Sequence, residues 1–119
     1  MGGRVFDEHP ATPRTITTVM PVYVGSLELD VLFGDVHSLK EKRSVVRPVI
    51  AELRKRFEVA AAEAGYQDLH RRALIGVSAV AGDTEHVRQV LSACERLVAG
   101  RPELELLSAR HRMFGPEDD

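Results

Sequence analysis

Residues 22–33, Val22-Tyr23-Val24-Gly25-Ser26-Leu27-Glu28-Leu29-Asp30-Val31-Leu32-Phe33, decide the fold. Leu27, Leu29, Val31 and Phe33 fall on one side, and Ser26, Glu28 and Asp30 on the other. A period of two over this length marks a strand with one buried face. Gly34-Asp35 ends it. Ser38-Leu39-Lys40-Glu41 then reads as a capping box, in which the Ser38 hydroxyl accepts from the Glu41 amide and the Glu41 carboxylate reaches back to the Ser38 amide. The helix behind it places Leu39, Val46, Ile50, Leu53 and Phe57 on one stripe. Pro48 lies inside that helix, so a kink is expected there.

Further along, 58–64 (EVAAAEA) is rich in alanine, which favours helix. The Phe57-Glu58-Val59 junction, Gly65 and the apolar run 73–81 (ALIGVSAVA) favour a strand pair instead, and the strand reading is adopted. The connection 66–72 is long for a tight hairpin and is expected to hold a helical turn. Asp83 is a candidate N-cap. Val87, Val90, Leu91, Cys94, Leu97 and Val98 then repeat at helical spacing up to Gly100-Arg101-Pro102. A last strand is read at 103–110. Arg110-His111-Arg112 leaves it either as part of a second basic patch or as a frayed end.

The order strand, helix, strand, strand, helix, strand is the split βαβ arrangement of ferredoxin-like folds. This is an α+β sandwich of one antiparallel sheet with both helices on one face. Residues 1–20, with Gly2, Gly3, Pro10, Pro13 and a threonine cluster, read as a disordered leader. Residues 21–112 form the domain, and 113–119 an acidic tail.

At 119 residues, 44% hydrophobic and 29% charged, the composition suits one ordinary globular domain. No apolar run reaches the roughly 18 residues of a membrane span, and no secretory signal opens the chain, so no membrane contact and a cytoplasmic location are expected. A single cysteine excludes an internal disulfide and a multi-cysteine zinc site. Cys94, on the apolar stripe of the second helix, reads as core. No cofactor, resident metal or catalytic residue is expected.

The formal net charge of −2 hides a segregation. Residues 38–56 carry seven basic and two acidic side chains. Lys40, Arg43, Arg47 and Arg54 recur as a stripe beside the apolar face. Lys40, Lys42 and Arg43 stand in the first turns of the helix, where cations oppose the dipole at roughly 0.3–1 kcal/mol each. The topology brings the start of this helix, the 66–72 connection and Arg101 to one end of the sheet. His37, Ser38, Lys40, Lys42, Arg43, Arg47, His70, Arg71 and Arg72 are therefore the candidate phosphate-binding set, gathered round a helix N-terminus with free amides. RNA or a ribonucleoprotein is the expected partner, with affinity falling steeply in salt. The plain alternative is a solvated face whose arginines pair with Asp35 and Asp68.

The third strand, 73–80, holds no aromatic residue, so base stacking on the sheet, as in RNA-recognition domains, is not expected. Its small residues, Gly76 and Ser78, suit close packing of the open sheet face in a homodimer. A homodimeric interaction or small-anion-binding regulatory module is thus a second reading. A third is a metal-dependent nuclease using Asp30, or His37, Asp68 and His70 together.

The run His37-Ser38-Leu39-Lys40-Glu41-Lys42-Arg43-Ser44-Val45-Val46 strongly resembles the signature of the YlxP-like family (domain of unknown function 503). A second match runs through Ala62-Glu63, Gln67-Asp68-Leu69 and Arg72-Ala73, then from Leu74 to Gly82-Asp83. Together they span about 21 to 110. Where this chain has His70, the family pattern carries Trp. The resemblance implies a ferredoxin-like fold and no established activity. It also implies a ribosome-associated or other RNA-related role, because such genes often neighbour those for transcription, translation initiation and ribosome assembly.

Overall fold

The computed structural model describes residues 20–117. The expected leader (1–20) lies almost wholly outside these residues, as does the end of the expected acidic tail. Six elements follow in order: β1 (Tyr23–Phe33), α1 (Leu39–Arg56), β2 (Ala60–Gly65), β3 (Arg72–Ala81), α2 (Thr84–Ala99) and β4 (Leu104–Phe114). They build an antiparallel sheet in the order β2-β3-β1-β4, so β2 and β4 are its edges. This is the expected ferredoxin-like arrangement.

The alternation in β1 works as read. Leu27, Leu29, Val31 and Phe33 are fully buried, facing Ala73, Ile75, Val77 and Ala79 of β3 and the helices. From α1 come Val46, Val49, Ile50 and Leu53, and from α2 Val87, Leu91, Cys94 and Val98. A Cβ on Gly25 would run into Val87 and lie 2.7 Å from Leu91 Cδ1, so glycine at this position is what lets α2 press onto β1.

Ser38 caps α1 and its hydroxyl accepts from the Glu41 amide. Glu41 reaches one residue further back than expected, accepting from the His37 amide at 2.6 Å. The helix runs unbroken through Pro48. Its apolar stripe differs from the expected one: Leu39 and Phe57 are only half-buried, while Val49 and, unexpectedly, Lys42 lie in the interior. Asp83 caps α2 as expected, accepting from the Glu85 amide.

β2 starts later than the sequence suggested, because Phe57 leaves the helix in extended conformation and Val59 turns back onto the Phe57 carbonyl. The 66–72 connection holds one hydrogen-bonded turn, Leu69 amide to Tyr66 carbonyl at 3.0 Å, with Tyr66 left-handed at φ 58. β4 runs four residues beyond the expected end. Arg110, His111 and Arg112 are strand residues opposite Glu28, Leu27 and Ser26, and not a frayed end. A bulge explains the miss: Asp30 faces Ser108 and Val31 faces Leu106, so Leu107 is left over and the alternation changes parity there.

Candidate nucleic-acid interface

At the end of the sheet where β1 leads to α1, three of the candidate residues, Lys42, Arg71 and Arg72, are joined by hydrogen bonds through the 66–72 connection. The Phe33 amide bonds the Arg71 carbonyl, and Arg71 Nε returns a bond to the Phe33 carbonyl, both at 2.9 Å. The 66–72 connection therefore sits directly against the start of α1.

Lys42 is the link between them, and here the expectation needs correcting. It is 1% exposed, so it cannot take a phosphate from solvent. Its ammonium donates to the carbonyls of Tyr66 (2.9 Å), Arg72 (3.1 Å) and, more weakly, Gln67 (3.5 Å). Glu63 Oε2 lies 2.8 Å away. No hydrogen-bond donor aims at that buried oxygen, so the nearby positive charge offsets its burial. The spacing held the signal: position 42 falls three after Leu39 and four before Val46, on the apolar stripe.

Arg72 is also committed. Its guanidinium makes a two-pronged pair with Asp30, Nε–Oδ1 at 3.0 Å and Nη2–Oδ2 at 2.7 Å, and stacks 4.5 Å from the Tyr66 ring centre. The bonds to Asp30 raise its pKa above the usual arginine value. Arg101 pairs with Glu52 and Glu103, and His37 with Asp35 at 2.8 Å. Arg54 bonds the Ala61 carbonyl through two nitrogens.

The helix mouth is less open than expected. Ser38 Oγ holds the Glu41 amide and Glu41 closes the His37 amide, so the chain's own carboxylate lies at the dipole's positive end. A shallow depression beside it is lined by Asp35, Glu103, Glu105 and Arg71 among apolar neighbours, so its polar rim is mostly acidic.

What stays available is narrower than the expected set. Lys40, Arg43 and Arg47 are exposed on one face of α1, and among the described residues none of them has a carboxylate partner. The exposed Arg71 and His70 lie on the neighbouring connection. The nuclease constellation is not assembled. Both Asp30 oxygens go to Arg72, His37 turns to Asp35, and no group of three His, Cys, Asp or Glu among the described residues is placed to hold a metal ion. Cys94 is buried, and burial pushes its thiol up to about 11, the behaviour of a core residue and not of a nucleophile.

Fold and surface together define a small ferredoxin-like α+β protein with a cationic helix face. The chain belongs to the family described as "Protein of unknown function (DUF503)", whose model matches residues 24–111. It is 30% identical over 91 residues to the uncharacterized protein YlxP of Bacillus subtilis (strain 168), covering 76% of this chain and 99% of that one. Among the described residues no helix is long and apolar enough to cross a membrane.

Proposed function

We propose that this protein is a non-enzymatic RNA- or ribonucleoprotein-binding module of the cytoplasm that grips phosphates with Lys40, Arg43 and Arg47 of α1 and with Arg71. The observation that carries this reading is the contrast on one helix. Lys42 and Arg54 are tied to backbone carbonyls, while Lys40, Arg43 and Arg47 are exposed on one face and, among the described residues, form no ion pair with a carboxylate. Phosphate contacts of this kind fix position and carry little sequence preference. His37, Ser38 and His70 border the patch and add hydrogen bonding at most; Lys42 and Arg72 shape the connection next to it.

Filter binding to single-stranded and structured RNA across a salt series tests the reading. The slope of log K against log salt should be steep, and the Lys40→Ala, Arg43→Ala double variant should flatten it by about 1.4 units on a single strand. A flat wild-type response refutes the reading.

A second reading is a module that self-associates through its sheet and meets a protein or small anion. It is favoured by exposed apolar side chains: Val24 and Val80 stand opposite each other on the open face, with Phe114 beside Val24. Light scattering of the full chain at micromolar concentration, and thermal shifts against a nucleotide panel, test its two parts.

A further inference from the structure

The strand at one edge of the sheet has its outward carbonyls covered. Arg54 bonds the Ala61 carbonyl and Gln67 Nε2 bonds the Glu63 carbonyl at 3.1 Å, so β2 offers little to another strand. The opposite edge, β4, is 11 residues long and, among the described residues, pairs only with β1. Among the described residues no side chain bonds its backbone. A long uncovered edge is a template for strand addition.

We propose that a second copy of this chain pairs with β4, antiparallel, about a two-fold axis at Ala109. The charges select this occupant. β4 begins acidic, with Glu105, and ends basic, with Arg112, so the same strand turned end for end is its own electrostatic complement. The bulge makes the match register-true. Because Leu107 is skipped, Glu105 lies opposite Leu32 of β1, Ala109 opposite Leu29 and Arg112 opposite Ser26. Glu105 and Arg112 are therefore equally far from Ala109 along the sheet, and both belong to the face away from the helices. The axis sets Glu105 against Arg112 of the partner subunit, and the reverse by symmetry. Neither residue has an ion-pair partner among the described residues.

On the helix side the same register sets Leu104 against the partner's Met113. Met113 lines a groove with Leu91 between β4 and α2 that such a contact would cover. Ala109, at the axis, is small enough for two copies to meet. The proposal rests on the second reading's claim that the sheet self-associates, and it fixes the contact to the β4 edge and not to the open face.

Sedimentation equilibrium of the full chain tests it. The wild type should dimerise, and Glu105→Arg and Arg112→Glu should each weaken the dimer by about tenfold or more, since like charges then face each other. An equal mixture of the two variants should form heterodimers, because every acid again faces a base; that recovery also shows both variants are folded. Alternate backbone amides of β4 should exchange more slowly as concentration rises. A wild type that stays monomeric overturns this proposal together with the self-association part of the second reading, and leaves its small-anion part to the thermal-shift test. A dimer that survives either charge reversal, variants that fail to recover on mixing, or a dimer broken by Val80→Asp on the open face overturns the edge contact and leaves self-association standing.

Discussion

The two halves of the sheet are finished by different means. On the β2 side, α1 reaches over the strand: Lys42 ties down the connection to β3, Arg54 covers the edge, and Gln67 adds a second cover. On the β4 side, α2 packs closely onto β1 and β3 through apolar contacts, and its Glu95 goes to the His111 ring and not to the strand backbone. One side is locked by side chains bonded to carbonyls, the other by core packing, with its rim left bare among the described residues. The small side chains of β2 (Ala60, Ala61, Ala62, Ala64) help explain this, since a long arginine can lie across them. Helix packing alone therefore does not close a sheet edge; specific donors do.

The largest effect should come from the lock on the β2 side. Lys42→Ala removes the charge beside Glu63 and leaves two or three loop carbonyls unmet, and should cost about 3–5 kcal/mol in urea unfolding at neutral pH. A loss below 1 kcal/mol would mean the two sides are not held differently at all. Next comes the packed side. Burial keeps Cys94 protonated in the fold up to about 11, above the ordinary thiol value of 9.0. The neutral thiol is favoured by folding, so its contribution is complete below pH 9 and lost between pH 9 and 11. Alkaline unfolding curves should fall by roughly 2–3 kcal/mol over that window relative to Cys94→Val.

Gly25→Ala should cost about 1–3 kcal/mol by driving a methyl into Val87 and Leu91. Amide exchange should rise along α2 and β4 and stay unchanged in β2, which would sharpen the division. The smallest effect is expected from Arg54→Ala, about 1 kcal/mol from the freed Ala61 carbonyl. That variant should also associate through β2 at high concentration; if it does not, covering donors are not what keeps that edge quiet.

The fold was readable because the periods are clean. The alternation in β1 and the helical stripe ending in Val98 each admit one burial pattern, and Ser38 and Asp83 mark the helix starts. What sequence reading missed has two causes. Lys42 reads as a solvent-facing cation by residue type, although its spacing puts it on the buried stripe. Its partners are backbone carbonyls 24 or more residues away, which no local pattern reveals. The sequence pattern ends β4 early because Arg110-His111-Arg112 shows no apolar alternation and the bulge at Leu107 shifts the parity. The candidate site was legible as a charge block but not as a set of partners. Which cations are spent on Asp30, Glu52 or a carbonyl depends on tertiary placement.

The Lys42 clamp has a consequence for how this molecule can change. It grips main-chain oxygens, which every amino acid carries, and it does so from the protein's interior. The side chains at Asp68, Leu69 and His70 take no part in that grip and are exposed. The tip of the hairpin can thus exchange its chemical lettering while keeping its shape, so what it touches is free to diverge from one descendant to another without disturbing the scaffold beneath.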